Sequence, residues 1–148
     1  MNMDASWAEG YNTLAGLKAH SAVAVQGTFT KVVGQSNLKS FPITDFEFTV
    51  GIVINDPGHL ASVGSKLTIR QTGGTVGGAI HQISDDPLFK LSENAVLFLK
   101  QPEPGIFFVL GGPSGRFKVS NGTVTPFAPN GAKFNGSLTD FGVAVKNS

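Results

Sequence analysis

The sequence predicts a mainly β chain folded as one small antiparallel barrel with a short helix at each end, and three observations carry that prediction. In Thr44–Ile54, Phe46, Phe48, Val50, Ile52 and Ile54 alternate with Asp45, Glu47, Thr49, Gly51 and Val53, the period of a half-buried strand. Ala95–Lys100 and Ile106–Leu110 are apolar at both parities, so each has to be covered on both faces. Nineteen glycines and eight prolines punctuate runs rich in Val, Ile, Phe and Thr, which marks tight turns rather than disorder.

The elements follow in order. Asn12 is placed to cap a short helix through about Ala19, with Leu14 and Leu17 on one face and His20 at the carbonyl end, where a cation is favoured. Ser6 with Glu9 offers a competing capping box. Ala22–Val33 reads as a strand with Val23, Val25 and Phe29 at one parity. The strand Thr44–Ile54 is long, and Gly51 is the place for a bulge or sharp coil. Asn55-Asp56-Pro57-Gly58 ends it, and Ser65–Thr72 resumes alternation with Leu67 and Ile69 inward. Gly73-Gly74 and Gly77-Gly78 bracket a segment ending at Ile83, and Asp85-Asp86-Pro87-Leu88-Phe89 reads as a turn followed by an apolar plug.

In the last third, Ala95–Lys100 and Ile106–Leu110 are the central strands, one face toward a barrel interior and the other beneath a terminal helix. Asn121-Gly122 is a two-residue hairpin signal between Arg116–Val119 and Thr123–Phe127. Ser137 caps a helix from Leu138 to about Lys146, with Leu138, Phe141 and Val145 on one face. The predicted core is Phe46, Phe48, Val50, Ile52, Leu97, Leu99, Phe107, Val109 and Phe117. A chain of 148 residues, 41% hydrophobic, suits one domain over 1–148: a helical segment at 1–20, the barrel at 21–127 and the closing helix at 137–146.

Composition removes several function classes. Charged residues make up 14% against roughly 25% in ordinary soluble domains, and the formal net charge is +1. Basic residues are spread thinly, Arg116 and Lys118 among them, so neither nucleic acid nor an anionic membrane is an expected partner. With no cysteine there is no disulfide, thiol chemistry or Cys-based metal site. Low charge with abundant Thr, Ser, Asn and Gly points to an exported, extracytoplasmic protein. Met1-Asn2-Met3-Asp4 carries no export signal, so an exported chain that has lost its signal is the expectation. No apolar run reaches the roughly 18–20 residues of a membrane-spanning helix.

Candidate chemistry is sparse. His20, His59 and His81 lack metal-ligand spacing, and Asp56, Asp85 and Asp86 lack the regular ligand loop that calcium needs, so no metal or other cofactor is expected. Ser114 in Gly112-Pro113-Ser114-Gly115 does not meet the Gly-x-Ser-x-Gly pattern, and its neighbourhood reads as a glycine corner. A hydrolase site of Ser114, His81 and Asp85 or Asp86 is the enzymatic alternative. None of the glycine pairs precedes a Gly-Lys-Ser/Thr or a helix start, so they are not phosphate cradles. Asn121-Gly122-Thr123 and Asn135-Gly136-Ser137 match the glycosylation sequon and otherwise read as turns. Trp7 and Tyr11 are amphipathic rings outside the periodic core, either a lid or the anchors of a contact surface.

The element order resembles the OB-like barrel of netrin-type and inhibitor domains. Gln71-Thr72-Gly73-Gly74, Asp86-Pro87-Leu88-Phe89, Val96-Leu97-Phe98-Leu99, Gly111-Gly112-Pro113 and Gly115-Arg116-Phe117 resemble a family of small exported bacterial proteins with no established chemistry, over about the central half of the chain. The OB resemblance implies single-strand nucleic-acid binding as a further alternative. The cysteines of netrin-type domains are missing. The reading is therefore a non-enzymatic exported domain that binds a protein or small molecule, with Trp7 and Tyr11 as anchors and little dependence on salt.

Overall fold

The computed structural model describes residues 2–3, 12–38, 41–76, 79–83, 86–128 and 131–148. The elements are β1 (Asn2–Met3), α1 (Leu14–His20), β2 (Val23–Leu38), β3 (Phe41–Asn55), β4 (Lys66–Val76), β5 (Ala79–Ile83), β6 (Asn94–Glu103), β7 (Ile106–Val109), β8 (Arg116–Ser120), β9 (Thr123–Pro126), β10 (Gly136–Ser137) and α2 (Leu138–Lys146). A 3-10 turn at Gly112–Gly115 joins β7 to β8. The protein is mainly β, with one continuous mixed sheet and two short helices.

The sheet is mixed, not fully antiparallel as expected. β2 pairs with β3 and β6, β3 with β4, and β7 with both β6 and β4, which closes five strands into a ring. An odd number of strands cannot alternate in direction all the way round a ring, so one adjacent pair has to be parallel. Here it is β4 with β7, in the register Thr68↔Ile106 and Ile69↔Phe107. β1 also runs parallel to β5. The remaining strands extend the sheet outward from β6 through β8, β9 and β10.

Of the two doubly apolar strands β6 is covered on both faces as expected, whereas β7 is not: Phe107 is buried but Ile106, Phe108 and Val109 are only half-buried, because no α-helix packs over its outer face among the described residues. Val23, Val25, Leu97 and Leu99 point into the ring with Phe29, Phe46, Phe48, Val50, Leu67 and Ile69. Ala24, Val96 and Phe98, at the opposite parity of β2 and β6, form a second core with Leu17 of α1 and with Phe141 and Val145 of α2. Phe117 was expected inside the ring but belongs to this second core. It faces Val96 across β6 and β8, and directly paired residues share a face. Val109 is only partly buried, at the edge of the first core.

Ile52 is the clearest misplacement in the expected core, being 44% exposed. The expected bulge at Gly51 explains it. Gly27 pairs with Val50 and Gln26 with Ile52, so Gly51 is an extra residue and the parity of β3 inverts beyond it. Val53 then packs on the ring interior and Ile52 turns out. Gly27 is required on the partner strand, because a Cβ there would lie 2.1 Å from the Thr49 carbonyl oxygen.

Boundaries shift modestly. Thr13 rather than Asn12 caps α1, its hydroxyl accepting from the Gly16 amide at 3.0 Å. β2 continues to Leu38 through Gly34, Ser36 and Asn37, because pairing to β3 outweighs the weak strand preference of those residues. The Asn121-Gly122 turn and the Ser137 cap are as expected, with φ of 52 and 78 in the turn and the Ser137 hydroxyl accepting from Asp140 N at 3.0 Å. Among the described residues no helix is long and apolar enough to cross a membrane.

Candidate functional site

Residues 86–93 leave Asp86 with no regular structure and cross the ring as a strap. Phe89 is the expected plug. Its ring stacks on Phe29 with centroids 4.2 Å apart and meets Phe46 edge-on at 5.5 Å. The strap is held by Gln71 on β4, whose Nε2 donates to the carbonyls of Asp86 (3.2 Å) and Pro87 (2.8 Å) while its Oε1 accepts from the Phe89 amide (3.0 Å). At its far end the Ser92 amide donates to the Phe29 carbonyl at 2.8 Å.

Arg116 is the second fastening. Its position is set by Gly115, where a Cβ would come within 2.5 Å of the Leu110 carbonyl oxygen, so only glycine lets β8 start there. The guanidinium is 3% exposed and lies between two phenyl rings, 4.4 Å from the Phe89 centroid and 4.0 Å from that of Phe127. Nη1 donates to Asp86 Oδ1 at 3.0 Å and to the Pro87 carbonyl at 2.8 Å, and Nη2 donates to Glu93 Oε2 at 3.2 Å. Nε is buried and has no hydrogen-bond partner among the described residues. One cation thus clamps both ends of the strap. Burial pushes the Asp86 carboxyl above its usual range, with the nearby Arg116 charge acting in the opposite direction.

The sequence shows Arg116 only as one of several thinly spread basic residues, whereas in the fold it is buried. No local pattern marks an arginine for burial when its counter-charges lie 30 and 23 residues earlier in the chain. The available signal was its place directly before Phe117 and after a glycine corner.

Beside the clamp lies a groove of about 910 Å³ between the strap and the β8–β9 hairpin. Its walls are Pro87, Leu88, Leu91, Val119 and Phe127, with Arg116 and Glu93 beneath and Lys90 and Lys118 exposed at the rim. Leu91 is 53% exposed. The volume and the mixture of apolar walls with a few polar groups are those of a binding cleft.

The residues singled out from sequence fall in several places. Ser114 lies in the 3-10 turn, its amide donating to the Gly111 carbonyl at 3.2 Å. Asp86 is bound to Arg116, and no hydrogen bond joins Ser114 to Asp86 among the described residues. His81 lies in β5 opposite Gly74 in the backbone register, and its side chain falls outside the described residues. Trp7, Tyr11 and Asp85 also lie outside them. Asp56 is a turn cap, accepting from the amides of Leu60 and Ala61 at 2.8 and 2.9 Å. Among the described residues no three metal-ligating side chains come together.

No family model matches the chain, and no curated protein matches it.

Proposed function

We propose that this protein is a non-enzymatic binding domain, an OB-like barrel that takes its ligand in the groove between the strap and the β8–β9 hairpin. The single observation that carries the reading is the groove itself, open to solvent yet walled by apolar side chains and seated on a fixed, buried arginine. The five-strand ring with its crossing parallel pair supports the OB-like description, since that fold is a five-stranded Greek-key barrel. Low charge and the absence of cysteine are compatible with an extracytoplasmic setting. Trp7 and Tyr11 remain proposed anchors of a contact surface.

Two observations favour this over the alternatives. A hydrolase site built on Asp86 needs that carboxylate free to orient a histidine, and it is already paired with Arg116, while Asp85 lies outside the described residues. A single-strand nucleic-acid binder needs unpaired cations and exposed rings on the outer face of its sheet. On the outer face of β3 and β4, Arg70 forks onto Asp45 at 2.8 and 3.0 Å and also reaches Glu103 at 3.5 Å, and Lys31 of β2 pairs with Glu47 at 3.8 Å. The other outward residues there include Thr49, Ile52, Lys66, Thr68 and Thr72, with no ring among them.

The test is a backbone-amide NMR titration with a mixture of random-sequence heptapeptides and, separately, with oligothymidine. Shifts confined to residues 87–94 and 116–127 on adding peptides are the expected result. Shifts of the β3–β4 face on adding oligothymidine would overturn it, as would an esterase activity that disappears in Ser114→Ala.

A further inference from the structure

We infer that the groove's ligand is an acidic, apolar peptide segment of a partner protein. The inference rests on the groove being the binding site and adds its chemistry. Charge comes first. The groove is lined by three cations, Lys90, Arg116 and Lys118, against one carboxylate, Glu93, which is paired to Arg116 together with Asp86 from outside the lining. Lys90 and Lys118 are exposed and in no ion pair among the described residues. Even with Asp86 counted, the local net charge is +1, and it is presented at the rim by two lysines in no ion pair, so an acidic ligand is favoured over a basic one.

Shape decides between kinds of anion. The groove is open to solvent, which suits an extended peptide that keeps one face in water. A lone acyl chain needs most of its surface enclosed. Leu91 and Val119 on opposite walls are the contacts for apolar side chains of such a peptide, with its carboxylates reaching the two lysines. An oligonucleotide is also anionic, but the groove offers only two unpaired cations and one partly exposed ring, Phe127, where such binders use several of each.

The test uses three eight-residue probes and one nucleic acid: a peptide alternating Leu with Asp or Glu, its counterpart with Lys at every acidic position, an acidic peptide with Ser in place of Leu, and oligothymidine. Each is titrated into the labelled full chain, followed by amide shifts at Leu91, Val119 and Phe127. The acidic apolar peptide should bind tightest, and its affinity should weaken as salt is raised. In the double variant Lys90→Glu with Lys118→Glu its affinity should fall about tenfold or more, with the fold checked by circular dichroism, while the basic peptide gains. Equal binding of the acidic and basic apolar peptides in the groove would overturn the charge assignment and leave the groove standing. Oligothymidine shifting groove amides more than any peptide would overturn the peptide assignment. No groove shift with any probe would overturn both this inference and the groove as a site.

Discussion

Removing the buried cation is the sharpest perturbation this structure offers. In Arg116→Met the side chain keeps most of its length and apolar contact with Phe89 and Phe127 but loses its charge and its hydrogen bonds to Asp86, Glu93 and Pro87. The Asp86 side chain is 10% exposed and would be left as an uncompensated buried carboxylate, whereas Glu93 at 20% is better able to turn to water. Breaking such a pair from one side costs about 3–5 kcal/mol, a large share of a domain's typical net stability of about 5–15 kcal/mol. Urea unfolding at neutral pH should show a loss of that size at unchanged slope. A loss under about 1 kcal/mol would refute the clamp.

The same variant has a pH signature. Native Asp86 holds its proton more tightly than unfolded Asp86, because its pKa is raised by burial. Its contribution to stability is therefore greatest below the ordinary aspartate pKa and is lost as pH rises through the raised native value. Taking away Arg116 removes the leading influence that opposes burial, raises that pKa further and extends the window upward. The deficit of Arg116→Met should then grow as pH rises and shrink in acid, where the carboxyl is neutral in both proteins. Adding Asp86→Asn should recover about 2 kcal/mol or more at neutral pH, since a neutral amide needs no counter-charge. Additivity of the two changes within about 0.5 kcal/mol, or a deficit flat in pH, would show that the pair does not act as a unit.

Two further outcomes test the ring and the glycine corner. Phe48 is fully buried in the first core and touches Phe29 edge-on at 4.8 Å, so Phe48→Ala should cost about 3–5 kcal/mol in equilibrium unfolding, and a loss below about 1 kcal/mol would place it outside the core. Gly111 sits in the left-handed region at φ 64 and ψ 25, so Gly111→Ala should destabilise by about 1 kcal/mol, while Ser114→Ala in the same corner should leave thermal unfolding unchanged.

Much of the fold was legible because it rests on local pattern. Alternation in β3 and β4, the double-sided apolar runs of β6, the Asn121-Gly122 turn, the Ser137 cap and the Phe89 plug all express interactions between near neighbours, or burial that a residue's own chemistry demands. The parallel β4–β7 pair is different in kind. It follows from counting strands round a closed ring, which requires knowing that β7 reaches β4 at all. Ile52 shows the intermediate case, in which the bulge was readable at Gly51 but its consequence for every later side chain of β3 needed the register with β2.

The candidate site was the least legible part, and the reason lies in how it is assembled. Gln71, the Asp86–Phe89 run and Arg116 come from three separate stretches of the chain. In space they fasten one strap, through Gln71 to the backbone of residues 86, 87 and 89 and through Arg116 to Asp86, Pro87 and Glu93. A glutamine with both polar atoms engaged on backbone and an arginine buried between two rings with both terminal nitrogens engaged have little capacity left for a substrate. Those residues are thus accounted for by the demands of the fold. What the fastening does for function is indirect: it fixes one wall of the groove, so that the residues meeting a ligand, Leu91, Val119, Lys90 and Lys118, are ordinary surface types whose significance comes only from where the strap holds them.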